Sequence, residues 1–293
     1  MRSGFVALVG RPNAGKSTLL NRIVGSKLAI VSDKPQTTRT RILGVKTYPD
    51  GQLAFVDTPG IHRPSHRMNV RMVDAALDSM RGADVVALVV DASVPPGGGD
   101  RALLDLVRPL AGPVLLVLNK VDRVAKPALL PLIDHYRTER DFAEIVPISA
   151  LDGTSVDRLE ALLLAHVPEG PPLYPDAPVA DAGAPARMAE LVREQVLRLT
   201  RDELPYSTAV VVERVEAGGS GRPTVVYGTI LVERESQKRI VVGRAGATVR
   251  AIGTAARQEL EQALGSRVFL DLHVKVKADW REDDRFLDEL LPE

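Results

Sequence analysis

Phe5-Val6-Ala7-Leu8-Val9 is an unbroken apolar run, and Gly10-Arg11-Pro12-Asn13-Ala14-Gly15-Lys16-Ser17 follows it in the pattern G-x-x-x-x-G-K-[ST]. No other stretch restricts the fold as much, because a buried strand that ends in a glycine-framed loop must turn sharply into the next element. That element, Ser17-Thr18-Leu19-Leu20-Asn21-Arg22-Ile23-Val24, has helical apolar spacing. The predicted unit is therefore strand, loop, helix, with the loop on a helix N-terminus whose partial positive charge favours phosphate. Gly10 and Gly15 let backbone N–H groups turn inward around phosphate oxygens, Lys16 reaches the β- and γ-phosphates, and the Ser17 hydroxyl ligates Mg²⁺. A bare match also arises in glycine-rich turns; the strand and helix on either side carry the phosphate reading.

Three further segments narrow the phosphate to that of a guanine nucleotide. Asp57-Thr58-Pro59-Gly60 follows the strand-like Leu53-Ala54-Phe55-Val56. Its Asp can hold magnesium through a water, and the Gly60 N–H can face a γ-phosphate. Asn119-Lys120-Val121-Asp122 follows Val114-Leu115-Leu116-Val117-Leu118, and a carboxylate there can accept both the N1–H and the exocyclic amine of guanine, a donor pair that adenine lacks. Ser149-Ala150-Leu151, after Glu144-Ile145-Val146-Pro147-Ile148, can bring a backbone N–H to guanine O6. Each tetrapeptide alone also describes an ordinary strand-end turn, and the last match is too short to stand by itself.

Between the first two segments lies Gln36-Thr37-Thr38-Arg39-Thr40, in a polar stretch with Pro35 and no clean period. Such a stretch suits a mobile switch whose Thr closes on Mg²⁺ and the γ-phosphate. In the order GRPNAGKS, QTTRT, DTPG, NKVD and SAL, the chain resembles the translation-factor-related GTPases, and its TTR form and spacing resemble their Era subfamily. The resemblance implies GTP or GDP with Mg²⁺, bound by residues 10–18, 57–61, 119–122 and 149–151. Lys16, Thr38 and Gly60 are the expected catalytic groups, with Ser17 and Thr38 as metal ligands and Asp57 acting through a water. Ile61 stands where many GTPases place a Gln that orients the attacking water, so slow intrinsic hydrolysis is expected. A potassium ion held by Asn13 is one way to offset phosphate charge; a purely turn-shaping Asn13 is the other.

At 293 residues the chain has room for two domains, and 45% hydrophobic with 26% charged residues is ordinary for a globular protein. Zero cysteines excludes disulfides and thiolate metal sites. No charged-then-apolar leader and no apolar run near the ~18 residues of a bilayer span is present, so a cytoplasmic protein is expected. Peripheral association with the inner face of the cell membrane stays open. Thirty-eight basic residues balance thirty-eight acidic ones, so nucleic-acid affinity must come from a local patch.

Strand-like runs alternate with helix-period segments from Phe5 to about Val167, predicting an α/β parallel-sheet domain over residues 1–168 whose ligand loops converge at the strand ends. The proline-rich stretch 169–186 reads as a semi-rigid linker. Residues 187–293 read as α+β: a helix from Met188, strands over 208–215 and 224–233, a hairpin tip at 218–221, a helix over 247–264 and a strand over 268–276. Gly243-Arg244-Ala245-Gly246 lies between two helical segments, and Lys238, Arg239, Arg244, Arg250 and Arg257 occur with no acid between Lys238 and Arg257. Two glycines without β-carbons let nucleic-acid backbone pass against protein backbone, while a solvated helix face would explain the charges alone. The element order resembles a type II KH domain, with Lys238, Arg239, Gly243, Arg244, Ala245, Gly246 and Arg250 as the expected RNA contacts.

Together the two domains resemble the Era-type GTPases over essentially the whole chain. This implies a monomeric GTP-hydrolysing switch that binds 16S rRNA near its 3′ end and acts in 30S subunit maturation, with a link to growth control. Competing readings are a membrane or division adaptor, whose second domain binds protein, and a nucleotide kinase, which NKVD disfavours. His62 and His66 read as part of the segment after DTPG, since Pro64 between them opposes a metal pair on one helix face. Gly97-Gly98-Gly99 reads as a loop beside the crevice, and Trp280 with the following segment as a helix packing on the second domain.

Overall fold

The computed structural model describes residues 1–174, 184–219 and 222–291. The first unit runs β1 (Arg2–Gly10), α1 (Lys16–Val24), β2 (Ile42–Tyr48), β3 (Gly51–Asp57), α2 (Arg67–Arg81) and β4 (Val85–Asp91). It continues through α3 (Gly98–Val107), β5 (Val114–Asn119), α4 (Lys126–Glu139), β6 (Glu144–Pro147) and α5 (Val156–His166). Six strands lie in the order β2-β3-β1-β4-β5-β6. Alternate residues of β1 serve opposite faces, as a two-residue period requires. Val6 and Leu8 join a core with Leu20, Phe55 and Leu159, while Ala7 and Val9 join another with Met80, Leu104 and Leu116. Burial on both faces explains why these strands are continuously apolar.

The sheet is not wholly parallel. β2 pairs antiparallel with β3, Ile42 opposite Asp57 and Tyr48 opposite Gly51. The two strands are joined through Pro49 and Asp50, and so short a connection closes only a hairpin; a parallel pair would need a crossover. Gly98 and Gly99 also differ from the expected loop, forming the first turn of α3. Asp100 closes that turn by accepting from the Gly97 N–H at 2.8 Å.

The second unit contains α6 (Pro185–Leu199), α7 (Leu204–Ser207), β7 (Ala209–Glu216), β8 (Thr224–Val232), α8 (Glu235–Val242), α9 (Ala247–Leu264), β9 (Val268–Val276) and α10 (Asp284–Leu290). β7 and β8 are antiparallel, and β9 returns parallel to β8 across the α8–α9 crossover. Val192, Val196, Ile230, Ile252 and Leu260 form its core. On β9, Leu270, Leu272, Val274 and Val276 pack inward while Phe269, His273 and Lys275 are exposed.

Part of the expected linker is bound to the first domain. The Tyr174 N–H donates to Gln52 Oε1 at 2.8 Å, Gln52 Nε2 donates back to the Tyr174 carbonyl at 2.9 Å, and the Tyr174 ring meets Phe5 edge-on. Linker positions 175–183 and the hairpin-tip positions 220–221 lie outside the described residues.

The C-terminal segment packs on both domains rather than on the second alone. Trp280 is fully buried in a cluster that joins Ala209 and Leu287 to Met68 and Met72 of α2. Arg71 pairs with Asp284 at 3.2 Å and Asp288 at 2.5 Å, Arg67 pairs with Asp284, and His66 meets Glu282 at 2.9 Å. The apolar positions of α2 that face this cluster are far from it in sequence, so no local periodicity announces the contact.

Candidate nucleotide site and nucleic-acid loop

The strand ends converge as expected on one cleft of about 410 Å³. Gly15 is left-handed, φ 95°, and a β-carbon there would stand 2.3 Å from Asn119 Nδ2, so the loop closes only around glycine. At Gly60 a β-carbon would come within 2.6 Å of the Pro12 backbone nitrogen. The DTPG turn is thereby pressed against the phosphate loop, and the Ile61 N–H donates to the Gly10 carbonyl at 3.2 Å.

Lys16 is nearly buried, its Nζ donating at 3.2 Å to the carbonyls of Gly10 and Arg11. Burial lowers its pKa and the Asp57 carboxylate partly restores it. Ser17 Oγ donates to Asp57 Oδ2 at 2.7 Å and lies 2.8 Å from Thr38 Oγ1, which is 3.3 Å from the same carboxylate oxygen. Burial raises the Asp57 pKa, opposed by Lys16 and by hydrogen bonds from Ser17 and Thr38. Asp57 Oδ1 is buried with no partner. Two hydroxyls and an unsatisfied carboxylate are hard oxygen donors of the kind that suit Mg²⁺.

At the base end, Asn119 Nδ2 donates to the Ala14 carbonyl at 2.8 Å and Asn119 Oδ1 accepts from the Ala150 N–H at 2.9 Å. Lys120, left-handed at φ 67°, pairs through Nζ with Asp91 at 2.5 Å. The Val121 N–H is taken by the Ile148 carbonyl, and the Asp122 carboxylate lines the cleft together with Leu151. Arg11, Thr58 and Ser149 support the site from behind: Arg11 pairs with Asp100 at 2.9 Å, Thr58 Oγ1 donates to the Leu8 carbonyl, and Ser149 Oγ accepts from Asp152.

The cleft also includes residues that no motif marks: Ile30, Val31, Ser32, Asp33 and Arg123. Asn13, left-handed at φ 64°, donates Nδ2 to the Asp33 carbonyl at 2.7 Å, tying the phosphate loop to the segment that leads into residues 36–40. Gln36 meets His62 at 3.2 Å, whose other ring nitrogen contacts the Gly60 carbonyl at 2.8 Å. His62 and His66 face different partners, and among the described residues no group of three or more His, Cys, Asp or Glu side chains is placed to hold a metal ion. Arg39 faces away from the cleft and is buried against the second domain.

In the second domain, Gly243 at φ 74° closes α8, and a β-carbon there would lie 2.2 Å from Thr248 Oγ1. Ala245, at φ 50°, and Gly246, at φ 76°, complete a left-handed turn that starts α9. Arg239, Arg244, Ala245 and Arg250 are exposed around it, Lys238 is half-buried, and a β-carbon at Gly246 would stand 4.0 Å from Arg250 Nη2. A shallow groove lies along α9, lined by Ala247, Ala251 and Ala255 together with Arg250, Thr254 and Gln258, and Ile240 is exposed.

A guanine-nucleotide loop set on a six-stranded α/β sheet, followed by a GxxG fold, defines a P-loop GTPase carrying a KH domain. Family models agree: one described as 50S ribosome-binding GTPase matches residues 5–120, and one described as KH domain matches residues 203–281. GTPase Era of Geobacter metallireducens is 48% identical over 289 residues, 99% of this chain and 97% of that protein. GTPase Era of Heliobacterium modesticaldum is 45% identical over 282 residues, 96% and 94% respectively. Among solved structures, an Aquifex aeolicus Era variant bound to GDP and AlF4⁻ superposes with TM-score 0.94 at 41% identity, covering 100% of this chain and 99% of that one. Era in complex with MgGDPNP and nucleotides 1506–1542 of 16S rRNA superposes with TM-score 0.95, also at 41% identity and the same coverage. The chain belongs to the GTPase Era family, and it is a GTPase.

Proposed function

We propose that this chain is a GTP-hydrolysing switch that binds 16S rRNA near its 3′ end through the Gly243–Gly246 loop and assists 30S subunit assembly. The observation that carries the nucleotide half is the convergence of Ser17 Oγ, Thr38 Oγ1 and the half-satisfied Asp57 carboxylate. Ser17 and Thr38 hold Mg²⁺, with Asp57 acting through a water; the bound ion neutralises charge developing on the phosphates. Lys16 lies buried in the loop, so an anion there exchanges its carbonyl contacts for phosphate oxygens. The Gly60 N–H faces the γ-phosphate, and Asp122 selects guanine. Residues 10–18, 57–61, 119–122 and 149–151 form the nucleotide site, and residues 36–40 the switch.

Ile61 is buried with its side chain in the sheet core, so it brings no carboxamide to the attacking water. Hydrolysis then depends on Lys16, Thr38 and cations. Asn13, at the rim of the phosphate loop, would hold a potassium ion through its side-chain oxygen, and that ion would supply positive charge of the kind an arginine finger brings elsewhere.

Lys238, Arg239, Arg244 and Arg250 meet RNA phosphates around a backbone that Gly243 and Gly246 keep open. The relative bound to 16S rRNA nucleotides at TM-score 0.95 supports this reading. The protein acts in the cytoplasm as a monomer, and any contact with the inner face of the membrane is peripheral. Among the described residues no helix is long and apolar enough to cross a membrane. The test is filter binding of a 16S 3′-terminal fragment and a length-matched 23S fragment, each with GDP and with a non-hydrolysable GTP analogue. Preferential, nucleotide-dependent retention of the 16S fragment is expected. Equal retention of both RNAs in both nucleotide states would overturn the proposal.

A further inference from the structure

The segment that carries Thr38 is held by the second domain as well as by its own. Ile30 is fully buried in the hydrophobic core of the second domain with Val192 and Val196. Glu194 of α6, also fully buried, accepts the Val31 N–H at 3.0 Å on one carboxylate oxygen and Lys27 Nζ at 2.6 Å on the other. The neighbouring Arg193 donates Nη2 to the Thr37 carbonyl. Past Thr38, the Arg39 guanidinium donates to the Thr208 carbonyl at 2.7 Å and the Pro205 carbonyl at 3.4 Å, and lies 5.6 Å above the Trp280 ring. The residues on both sides of Thr38 are thus fastened to the other domain.

We infer that Arg193 and Arg39 are positioning residues for GTP hydrolysis: Arg193 of the second domain holds the Thr37 carbonyl, Arg39 of the switch anchors on the Thr208 and Pro205 carbonyls, and together they place the Thr38 hydroxyl over Ser17 and Asp57. The inference rests on the reading of Thr38 as a ligand of Mg²⁺ and the γ-phosphate. Charge at the clasp is unbalanced. Arg193 is paired with Glu190 at 2.6 Å, and Arg281 is taken by Glu233 at 2.5 Å, while the Arg39 guanidinium meets two carbonyls and an aromatic face rather than a carboxylate. Arg193 Nη1 and Arg39 Nε are buried without a partner. Burial, reinforced by Arg193, lowers the Arg39 pKa to about 9, so it stays cationic at neutral pH. Buried cations held this way add little net stability compared with apolar packing. They suit a contact that forms and releases, and coupling through such a contact is reciprocal between the nucleotide and the second domain.

The test uses the full chain with Mg²⁺, comparing Arg193→Met, Arg39→Met, Arg193→Lys and Thr38→Ala. Arg193→Met and Arg39→Met keep much of the side-chain stem and remove the guanidinium. Each should lower kcat for GTP by roughly ten- to a hundredfold, as small misplacements of a catalytic group do, while GDP affinity, which needs no γ-phosphate contact, stays within about twofold. Arg193→Lys should recover part of kcat. Combined with Thr38→Ala, Arg193→Met should add almost no further loss, because it acts through Thr38. Should a Met variant melt below the assay temperature, Arg193→Lys supplies the kcat and GDP readings. Unchanged kcat in the Arg variants, or losses that add fully to that of Thr38→Ala, would overturn the inference and leave the Thr38 reading standing. An unaltered kcat in Thr38→Ala itself would instead remove that underlying reading, and the inference with it.

Discussion

Asn119 Nδ2 donates to the carbonyl of Ala14 at 2.8 Å, so the base-reading loop and the phosphate loop form one hydrogen-bonded unit. The same side chain accepts from Ala150 N–H at 2.9 Å, bringing in the third loop. Such mutual placement of the three loops would let the Asp122 carboxylate choose the base, as proposed above. Pre-organised donors and acceptors discriminate sharply because a mismatched base leaves them unpaired.

Asp122→Asn should therefore lose GTP affinity and gain affinity for xanthosine triphosphate, which offers an acceptor where guanine offers a donor. Competition between the two nucleotides for fluorescent GDP-analogue sites measures this, and an unchanged preference for GTP would take Asp122 out of the base site.

Lys16→Ala removes the buried cation at the centre of the phosphate loop. Turnover should fall by a transition-state loss of ~3 kcal/mol, the scale for deleting a main electrostatic donor. Single-turnover hydrolysis checks it, and near-normal rates would refute the role given to Lys16.

Gly246→Asp puts a carboxylate beside the GxxG turn, at a residue with φ 76° where a β-carbon would stand 4.0 Å from Arg250 Nη2. Affinity for single-stranded RNA should collapse through charge repulsion, while GTP affinity stays within a few-fold. Intact RNA binding in a folded variant would favour a protein-binding role for this domain.

Potassium should speed GTP turnover relative to sodium at equal ionic strength, and Asn13→Ala should abolish the difference. The motivating geometry is Asn13 at the loop rim, bonded to the Asp33 carbonyl ahead of the switch at 2.7 Å, combined with an inward-facing Ile61. Equal initial rates in the two salts for the unaltered chain would leave backbone groups or RNA to position the water.

Trp280→Ala should destabilise the chain by about 3–5 kcal/mol, the usual range for emptying a large aromatic site. Trp280 fills the cluster between α2 and the C-terminal segment, and its Nε1 donates to the Ser207 carbonyl at 3.0 Å. Chemical denaturation measures the loss, and a change under 1 kcal/mol, small against the range for such substitutions, would mean that the two domains do not share this core.

The nucleotide loops were legible in the sequence because their information is local. Gly10 to Ser17 must follow a strand and open a helix, and glycine at 15 is dictated by backbone that closes against Asn119. The KH element order was legible for the same reason: α9 was bounded at 247 and 264 by its period and by glycines at both ends. The reversed direction of β2 was missed because hydrophobic alternation carries no strand direction. Gly98 and Gly99 were misplaced because a helix start capped by Asp100 overrides their loop preference.

What the amino-acid order by itself determined is the chemistry of each loop and the succession of strands and helices, since turns, caps and periodicity act over a few residues. Tertiary structure alone decided what lies behind the switch. Arg39 finds Thr208 across 169 positions, Ile30 enters a core built from residues 188 onward, and Trp280 closes on Met68 and Met72. Those contacts come from burying apolar surface and guanidinium groups between two separately encoded domains, and neither partner's local sequence specifies the other.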